Sequence, residues 1–254
     1  MQLDLFEDKI DRAIRRLKDN EPEDEPYYGA TSGGKDSIVI MKLAEIAGVN
    51  VEWFFSVSTV DPPELIRFLK NHHPDVKFNI PKINMWNLIV KKRMPPTRLV
   101  RYCCEYFKEN GGNGRVVITG VRRSESSKRA NRKAVHECWK KTGKIFVNPI
   151  VDWTTNDVWS FIREYKLPYC SLYDEGFKRL GCIGCPMGDK NSMGKEFNRW
   201  PHIKKLYIRS FDKMIKKRVE DGLPTEWKSG KEVFDWWINN PGKSKDDHQI
   251  QMFD

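Results

Sequence analysis

Residues 27–37, YYGATSGGKDS, join two segments of different periodicity, and that junction decides the fold. Tyr27 to Thr31 reads as a short strand ending in small residues. From Asp36 to Ala47 the only charged members after the first are Lys42 and Glu45, which predicts a largely buried helix. Between them, Ser32-Gly33-Gly34-Lys35-Asp36-Ser37 places paired glycines where a strand hands over to a helix. Glycine lets the backbone turn tightly and present its N–H groups, and the helix start adds the positive end of its dipole. The loop is therefore predicted to cradle an anion. It contains neither G-x-x-x-x-G-K-[ST] nor G-x-G-x-x-G, so it is not one of those two phosphate loops. An ordinary Gly-Gly turn before a helix is the alternative reading of the same residues.

Outward from this junction, short apolar runs alternate with helical ones to about Pro149, which implies βαβ units, a parallel sheet and a Rossmann-like α/β fold. Strands are expected at Val51 to Val57, 76–80, 116–119 and 145–147. Asp61 is read as the N-cap of a helix over 62–71 with Pro62 at its first position, a cap worth about 1 kcal/mol. Thr154 and Asp157 resemble a capping box, followed by Val158, Phe161, Ile162 and Tyr165 at helical spacing. Upstream, Phe6, Ile10, Ala13, Ile14 and Leu17 form the stripe of an amphipathic helix, read as a lid or docking element. The acidic stretch Asp19 to Pro26 follows it as a linker. Downstream, 199–218 puts Ile203, Leu206, Tyr207, Phe211 and Met214 on one helix face, with eight bases and one acid, and Gly222 as a stop. The expected organisation is an N-terminal helix with acidic linker over 1–26, a nucleotide-binding domain over 27–190 and a helical extension over 191–254.

The 254 residues are 39% hydrophobic and 31% charged, enough for a core. Mean hydropathy is −0.66. No apolar run approaches the roughly 18 residues of a membrane span, and no secretory signal opens the chain, so a cytoplasmic protein without membrane contact is expected. The net charge of +10 favours anionic partners, and the surplus is local: 1–26 carries nine acids and five bases, whereas 121–144 carries nine bases and two acids.

The string SGGKDS after a small-residue strand end resembles the PP-loop of the adenine nucleotide alpha hydrolases. Further segments resemble one branch, the phosphoadenosine phosphosulfate (PAPS) reductase family. These are Thr119-Gly120-Val121-Arg122-Arg123-Ser124 with Ser127 and Arg129, and Asn148-Pro149-Ile150-Val151-Asp152-Trp153 with Asp157-Val158-Trp159. The resemblance spans about residues 27–190 and implies a HUP-type sheet that binds ATP or a related adenine nucleotide. It implies that Lys35 neutralises a phosphate, that Thr119, Gly120 and Arg129 line the substrate, and that Ser58 and Thr59 contact the adenosine. Val60-Asp61-Pro62-Pro63 departs from the family's Asp-Thr-Gly stretch at that last position. On physical grounds, Arg122, Arg123 and Arg129 follow a strand's C-terminal end, where ligands collect, and guanidinium groups bind phosphate or sulfate bidentately. A solvated basic loop is the plainer reading of each. Asp36 either caps its helix or holds Mg²⁺ if ATP is the ligand.

Cys103 and Cys104 are adjacent, and Cys182 and Cys185 form C-x-x-C. In a reducing compartment such thiols read as metal ligands or reactive groups. Two compact pairs suit a Cys₄ zinc site or a [4Fe-4S] cluster. Adjacent side chains on a helix diverge by about 100°, which hinders chelation of one small ion and suits two corners of a larger cluster, so a cubane is favoured over zinc and over free thiols. Iron-sulfur members of the superfamily show the same Cys-Cys…Cys-x-x-Cys pattern. Arg101 and Lys108 are placed to tune the cluster. Cys138, in a basic stretch, is a candidate reactive thiol, and Cys170 reads as a small buried hydrophobe.

Sulfonucleotide reductases of the family carry a nucleophilic cysteine in a C-terminal Glu-Cys-Gly-Leu-His tail, and no cysteine follows Cys185 here. The expected activity is therefore ATP pyrophosphatase or adenylation chemistry at the α-phosphate linked to sulfur transfer, with Lys35, Asp36, Arg122 and Arg123 catalytic. The DNA phosphorothioation systems contain a similar component. Two alternatives stand beside it: a PAPS or adenylyl-sulfate reductase with a displaced nucleophile, and a non-catalytic nucleotide-sensing protein that binds nucleic acid. Nucleic acid or a sulfur-donor protein is the expected further partner, and the oligomeric state is left open.

Overall fold

A computed structural model describes residues 2–140 and 142–239, so the last part of the expected extension, 240–254, lies outside the described residues. The chain divides into two compact units, Met1–Ser56 with Pro63–Asn79 and Asn110–Leu180, and Val57–Pro62 with Ile80–Glu109 and Gly181–Asp254.

The first unit holds α1 (Gln2–Lys18), β1 (Tyr27–Thr31), α2 (Lys35–Ala47), β2 (Val51–Ser56), α3 (Pro63–His72) and β3 (Lys77–Asn79). It is completed by β4 (Val116–Ile118), β5 (Val135–Glu137), β6 (Ile145–Val147) and α6 (Thr155–Glu164). The second unit holds α4 (Met85–Lys92), α5 (Tyr102–Phe107), α7 (Lys190–Arg199), α8 (Pro201–Glu220) and α9 (Gly230–Asn239).

The six strands form one sheet in the order β3-β2-β1-β4-β6-β5. All neighbours are parallel except β5 and β6. The order reverses between β1 and β4, the switch point where open α/β sheets bind ligands beyond their strand C-termini. The pairing of Gly29 with Trp53 requires glycine, because a Cβ there would lie 2.3 Å from the Trp53 ring. Strand β5 is a departure from the expected list. Val135-His136-Glu137 has a single apolar residue, and pairing with Ile145–Val147 makes it a strand.

Helix α2 is buried as expected, with Ile38, Val39, Ile40 and Leu43 almost wholly enclosed. On it lie Ile10, Ala13 and Leu17 of α1, in one core with Trp153, Val158, Phe161 and Ile162. The Thr154–Asp157 capping box forms as expected. Helix α3 starts at Pro63, and the Asp61 carboxylate bonds the Ser58 N–H at 2.7 Å and its hydroxyl at 2.8 Å, which replaces the cap assigned to it from sequence.

Ion pairs fasten α1. Arg16 binds Asp152 through both carboxylate oxygens at 2.8 and 2.9 Å and also reaches the Pro149 carbonyl, while Lys9 meets Asp157 at 2.6 Å. Burial alone would raise both carboxyls, but the hydrogen bonds and charge of Arg16 and Lys9 more than offset it and hold them below the ordinary range. Such groups stabilise the fold above the unfolded value of about 3.9 and lose that contribution as pH falls through their lower folded values. Below about pH 4, α1 is therefore expected to loosen, read as faster proteolysis within Gln2–Lys18. Asp152→Asn should flatten that acid dependence, and an unchanged dependence in the variant would refute the assignment.

In the second unit, α8 packs against α4, α7 and α9 around the rings of Phe197, Tyr207, Phe211, Phe234 and Trp237. Trp200 and Trp237 are core, whereas Trp227 and Trp236 are half-buried and lie 5.4 Å apart. Gly222 has φ 69° just beyond the end of α8, the left-handed stop its sequence position implies. No helix among the described residues is long and apolar enough to cross a membrane.

Candidate functional site

The loop between β1 and α2 takes its shape from its own side chains. Ser32 and Ser37 share a hydroxyl hydrogen bond of 2.8 Å, and the Ser37 hydroxyl also accepts the Ser32 N–H. Gly33 sits at φ +67°, and a Cβ there would meet Leu65 of α3 at 2.7 Å, so only glycine fits. Gly34 occupies the N-cap position, and no side chain caps α2. The Lys35 N–H donates to the Tyr173 hydroxyl oxygen at 2.9 Å, and the Lys35 ammonium lies 5.8 Å from the centre of that ring. Burial pushes the Tyr173 hydroxyl well above its ordinary value, so it remains protonated and free to donate in turn. Nothing in the spacing signals Tyr173, because it is 138 residues from Lys35.

Asp36 stands between two cations. Lys35 Nζ approaches one oxygen at 3.1 Å, and Arg122 Nε donates to the other at 2.6 Å. Arg122 is 2% exposed, and its Nη1 is shared among the Ser124 hydroxyl, the Trp153 carbonyl and the Thr155 hydroxyl. Its Nη2 takes no protein acceptor among the described residues. Gly120 brings β4's exit against α2, since a Cβ there would lie 3.1 Å from the Asp36 carbonyl carbon. The Thr119 hydroxyl donates to the buried Asn148 side chain, which also reaches the Lys133 and Ala134 carbonyls. Lys35, Asp36, Thr119, Gly120 and Arg122 thus meet at the C-terminal ends of β1 and β4.

The other two arginines are placed differently. Arg123 is exposed and donates to the Arg132 carbonyl at 2.8 Å, and Arg129 pairs with Glu125. Ser58 and Thr59 belong to the second unit. Ser58 is engaged by Asp61, and the Thr59 hydroxyl accepts the Met85 N–H at 2.9 Å with its own backbone at φ 64°.

The second unit also brings the two cysteine pairs within electrostatic reach. A hydrogen bond between the neighbouring thiols pushes Cys103 up and holds Cys104 below its ordinary value, and the charges of Cys182 and Cys185 push Cys103 further. Lys108, exposed at the surface, is raised first by the Cys182 charge and also hydrogen-bonds that sulfur, while Arg101 adds to the lowering of Cys104. Among the described residues no three His, Cys, Asp or Glu side chains close on a single metal ion. Four mutually interacting thiols in two pairs do fit the donor chemistry of a four-iron cluster.

Residues that the sequence does not single out hold the C-x-x-C turn. The Ile183 N–H donates to the Val60 carbonyl at 2.8 Å, and the Tyr207 hydroxyl donates to the Ile183 carbonyl at 3.0 Å. The Gly184 N–H donates to Glu196 at 2.7 Å, and Arg98 Nη2 reaches the Met187 and Gly188 carbonyls at 3.1 Å each. Cys170 is buried, as expected, and Cys138 is half-buried beside Thr142.

Comparison with known proteins agrees with this architecture. A model of the phosphoadenosine phosphosulfate reductase domain matches residues 27–187. Two uncharacterized proteins of Methanocaldococcus jannaschii are 29% and 33% identical over 72% of this chain, which spans 42% and 45% of their lengths. An adenosine 5'-phosphosulfate reductase of Staphylococcus haemolyticus is 25% identical over 68% of this chain and 76% of its own. The chain thus covers under half of the archaeal relatives. Among solved structures, the PAPS reductase of Candida auris superposes with a TM-score of 0.52 at 19% identity, covering 67% of this chain and 87% of that one. The FMN adenylyltransferase of Candida glabrata gives 0.51 at 15% identity, covering 70% and 64%. Both share the fold. A match running from the first strand through the C-x-x-C turn, on a sheet with this switch point, places the chain in the phosphoadenosine phosphosulfate reductase domain family.

Proposed function

We propose that this chain is an iron-sulfur enzyme that binds ATP or a related adenine nucleotide at residues 32–37 and acts at its α-phosphate. The observation that supports this most is Asp36 held between Lys35 and the buried Arg122 at the ends of two neighbouring parallel strands. Two cations fixed by one carboxylate cost little reorganisation when phosphate charge develops. In the proposed reaction an acceptor oxygen attacks the α-phosphorus, the α–β bridging P–O bond breaks, and pyrophosphate leaves with the electron pair. A nucleophilic sulfur then displaces AMP from the adenylated acceptor.

Lys35 and Nη2 of Arg122 stabilise charge on the α- and β-phosphates. Asp36 orients both cations and offers a carboxylate to Mg²⁺. Ser32, Gly33, Gly34 and Ser37 shape the phosphate cradle, Thr119 and Gly120 form the wall from β4, and Arg123 and Arg129 add outer positive charge; Ser58 and Thr59 are the adenosine contacts that the family resemblance implies. Cys103, Cys104, Cys182 and Cys185 would hold a [4Fe-4S] cluster, which supplies electron-transfer or sulfur-handling chemistry when bound. Lys108 and Arg101 lower the charge of that thiolate group.

The test is parallel incubation of anaerobically purified protein with ATP, PAPS and adenylyl sulfate. Pyrophosphate from ATP is expected, together with about four iron and four acid-labile sulfide per chain. Binding of all three nucleotides without turnover would refute the enzyme, and zinc in place of iron would refute the cluster. The phosphosulfate reductase relative favours a second reading, sulfite formation from PAPS or adenylyl sulfate with external thiol. There Cys138 is the displaced nucleophile, its thiol held below the ordinary value chiefly by a hydrogen bond from Thr142. Sulfite production that survives Cys138→Ser removes that role.

A further inference from the structure

Helix α8 carries Lys205, Arg209, Lys213 and Lys216 at i, i+4, i+8 and i+11. These positions share one face, opposite the buried Ile203, Tyr207, Phe211 and Met214. All four bases are exposed, and none is paired with a carboxylate among the described residues. Like charges at i, i+4 destabilise a helix. Elsewhere the chain places opposite charges at that spacing, as in Asp8–Arg12 of α1 and Lys231–Asp235 of α9. Asp212 stands on the same face four residues before Lys216, but its carboxylate accepts the Gly230 N–H at 2.6 Å, so the repulsion among the four bases is retained over about 16 Å of helix.

We propose that this face binds the backbone of duplex DNA without reading its sequence. The four bases have no exposed aromatic among them, so the face lacks the stacking platform that single strands require. The apolar face of α8 is covered by α4, α7 and α9, and Val219 is its one exposed large hydrophobic, too little apolar area to anchor the helix in a lipid surface. An acidic protein partner would need an apolar anchor at the centre of the contact, and the four positions supply none. The major groove and flanking phosphates of B-form DNA accept an α-helix, whereas the deep, narrow groove of duplex RNA does not. The proposal does not depend on the nucleotide loop or on the thiols, and its test uses neither.

Fluorescence anisotropy with a labelled duplex of roughly 20 base pairs, between about 50 and about 200 mM salt, measures both affinity and salt slope. Against a variant with Lys205→Gln, Arg209→Gln, Lys213→Gln and Lys216→Gln, the native chain should show a slope steeper by about 3 to 4 log units per log [salt]. A control with Lys82→Gln, Lys91→Gln, Lys166→Gln and Lys178→Gln removes the same charge elsewhere and should keep the native slope. Equal slopes for native chain and stripe variant would overturn the proposal. So would an equal loss in the control, or tighter binding to phosphatidylserine vesicles, polyglutamate or duplex RNA. Unchanged circular dichroism of the stripe variant shows that α8 still folds.

Discussion

Arg122→Ala is expected to lower unfolding stability by about 3 kcal/mol, because removing one partner of a buried pair leaves the other uncompensated. Arg122 is 2% exposed and bonds Asp36, Ser124, Thr155 and the Trp153 carbonyl, so its loss strands acceptors from α2, α6 and the turn before α6. Arg122→Lys keeps the charge and loses the planar fork, and should recover only part of the deficit. Adding Asp36→Asn to Arg122→Ala removes the orphaned carboxylate, so the double variant should be more stable than the sum of the single effects predicts. Denaturant titration followed by tryptophan fluorescence reads the native chain, both Arg122 variants, Asp36→Asn and the double variant. A loss below about 1 kcal/mol for Arg122→Ala, within the range of ordinary surface changes, would show that the buried pair does not hold β4's exit to α2. Under the proposed function the same variant also loses nucleotide affinity, with Arg122→Lys again intermediate.

The second large effect is expected at Gly184, inside the C-x-x-C turn. Its φ is +71°, and a Cβ would stand 2.5 Å from Phe197 Cζ, 3.1 Å from Trp237 and 3.2 Å from Tyr207. Left-handed backbone costs a non-glycine residue roughly 1–2 kcal/mol, and overpacking a close-packed core adds about 1–3 kcal/mol. Gly184→Ala should therefore cost about 2–5 kcal/mol, since Phe197, Tyr207 and Trp237 interlock and cannot move singly. If Cys182 and Cys185 hold iron, the iron content per chain falls in the same variant. Phe197→Leu combined with Gly184→Ala should restore part of both by opening space beside the new methyl. Native stability and iron content in Gly184→Ala would show that the aromatic cluster does not support the turn.

How much of this was legible in the sequence follows from how local each signal is. Strand, glycine turn and helix at 27–47 are consecutive, so the junction is readable from eleven residues. The Thr154–Asp157 box and the α1 stripe are local in the same sense. Helix α4 carries its own signal in Asn84, which accepts the Asn87 N–H, and in buried Met85, Leu88 and Ile89, but eight residues are too few for a period to stand out. Six residues make α5 shorter still. For Asp61 a local rule misleads, because the carboxylate closes the Ser58 turn instead of starting a helix. The partners of the thiols and of Lys35 are the least legible. Tyr173, Glu196, Tyr207 and Arg98 act through hydrogen bonds to backbone atoms, and such bonds leave no mark on residue spacing.

The chain crosses between its two units five times, at 56–57, 62–63, 79–80, 109–110 and 180–181. During vectorial synthesis every piece of the sheet-bearing unit has left the ribosome once Leu180 emerges. Cys103 and Cys104 must still wait for the segment that brings Cys182 and Cys185. The 32–37 loop can thus be assembled on the nascent polypeptide before the two thiol pairs can meet, and any loading of metal on all four thiols is a late event in biogenesis.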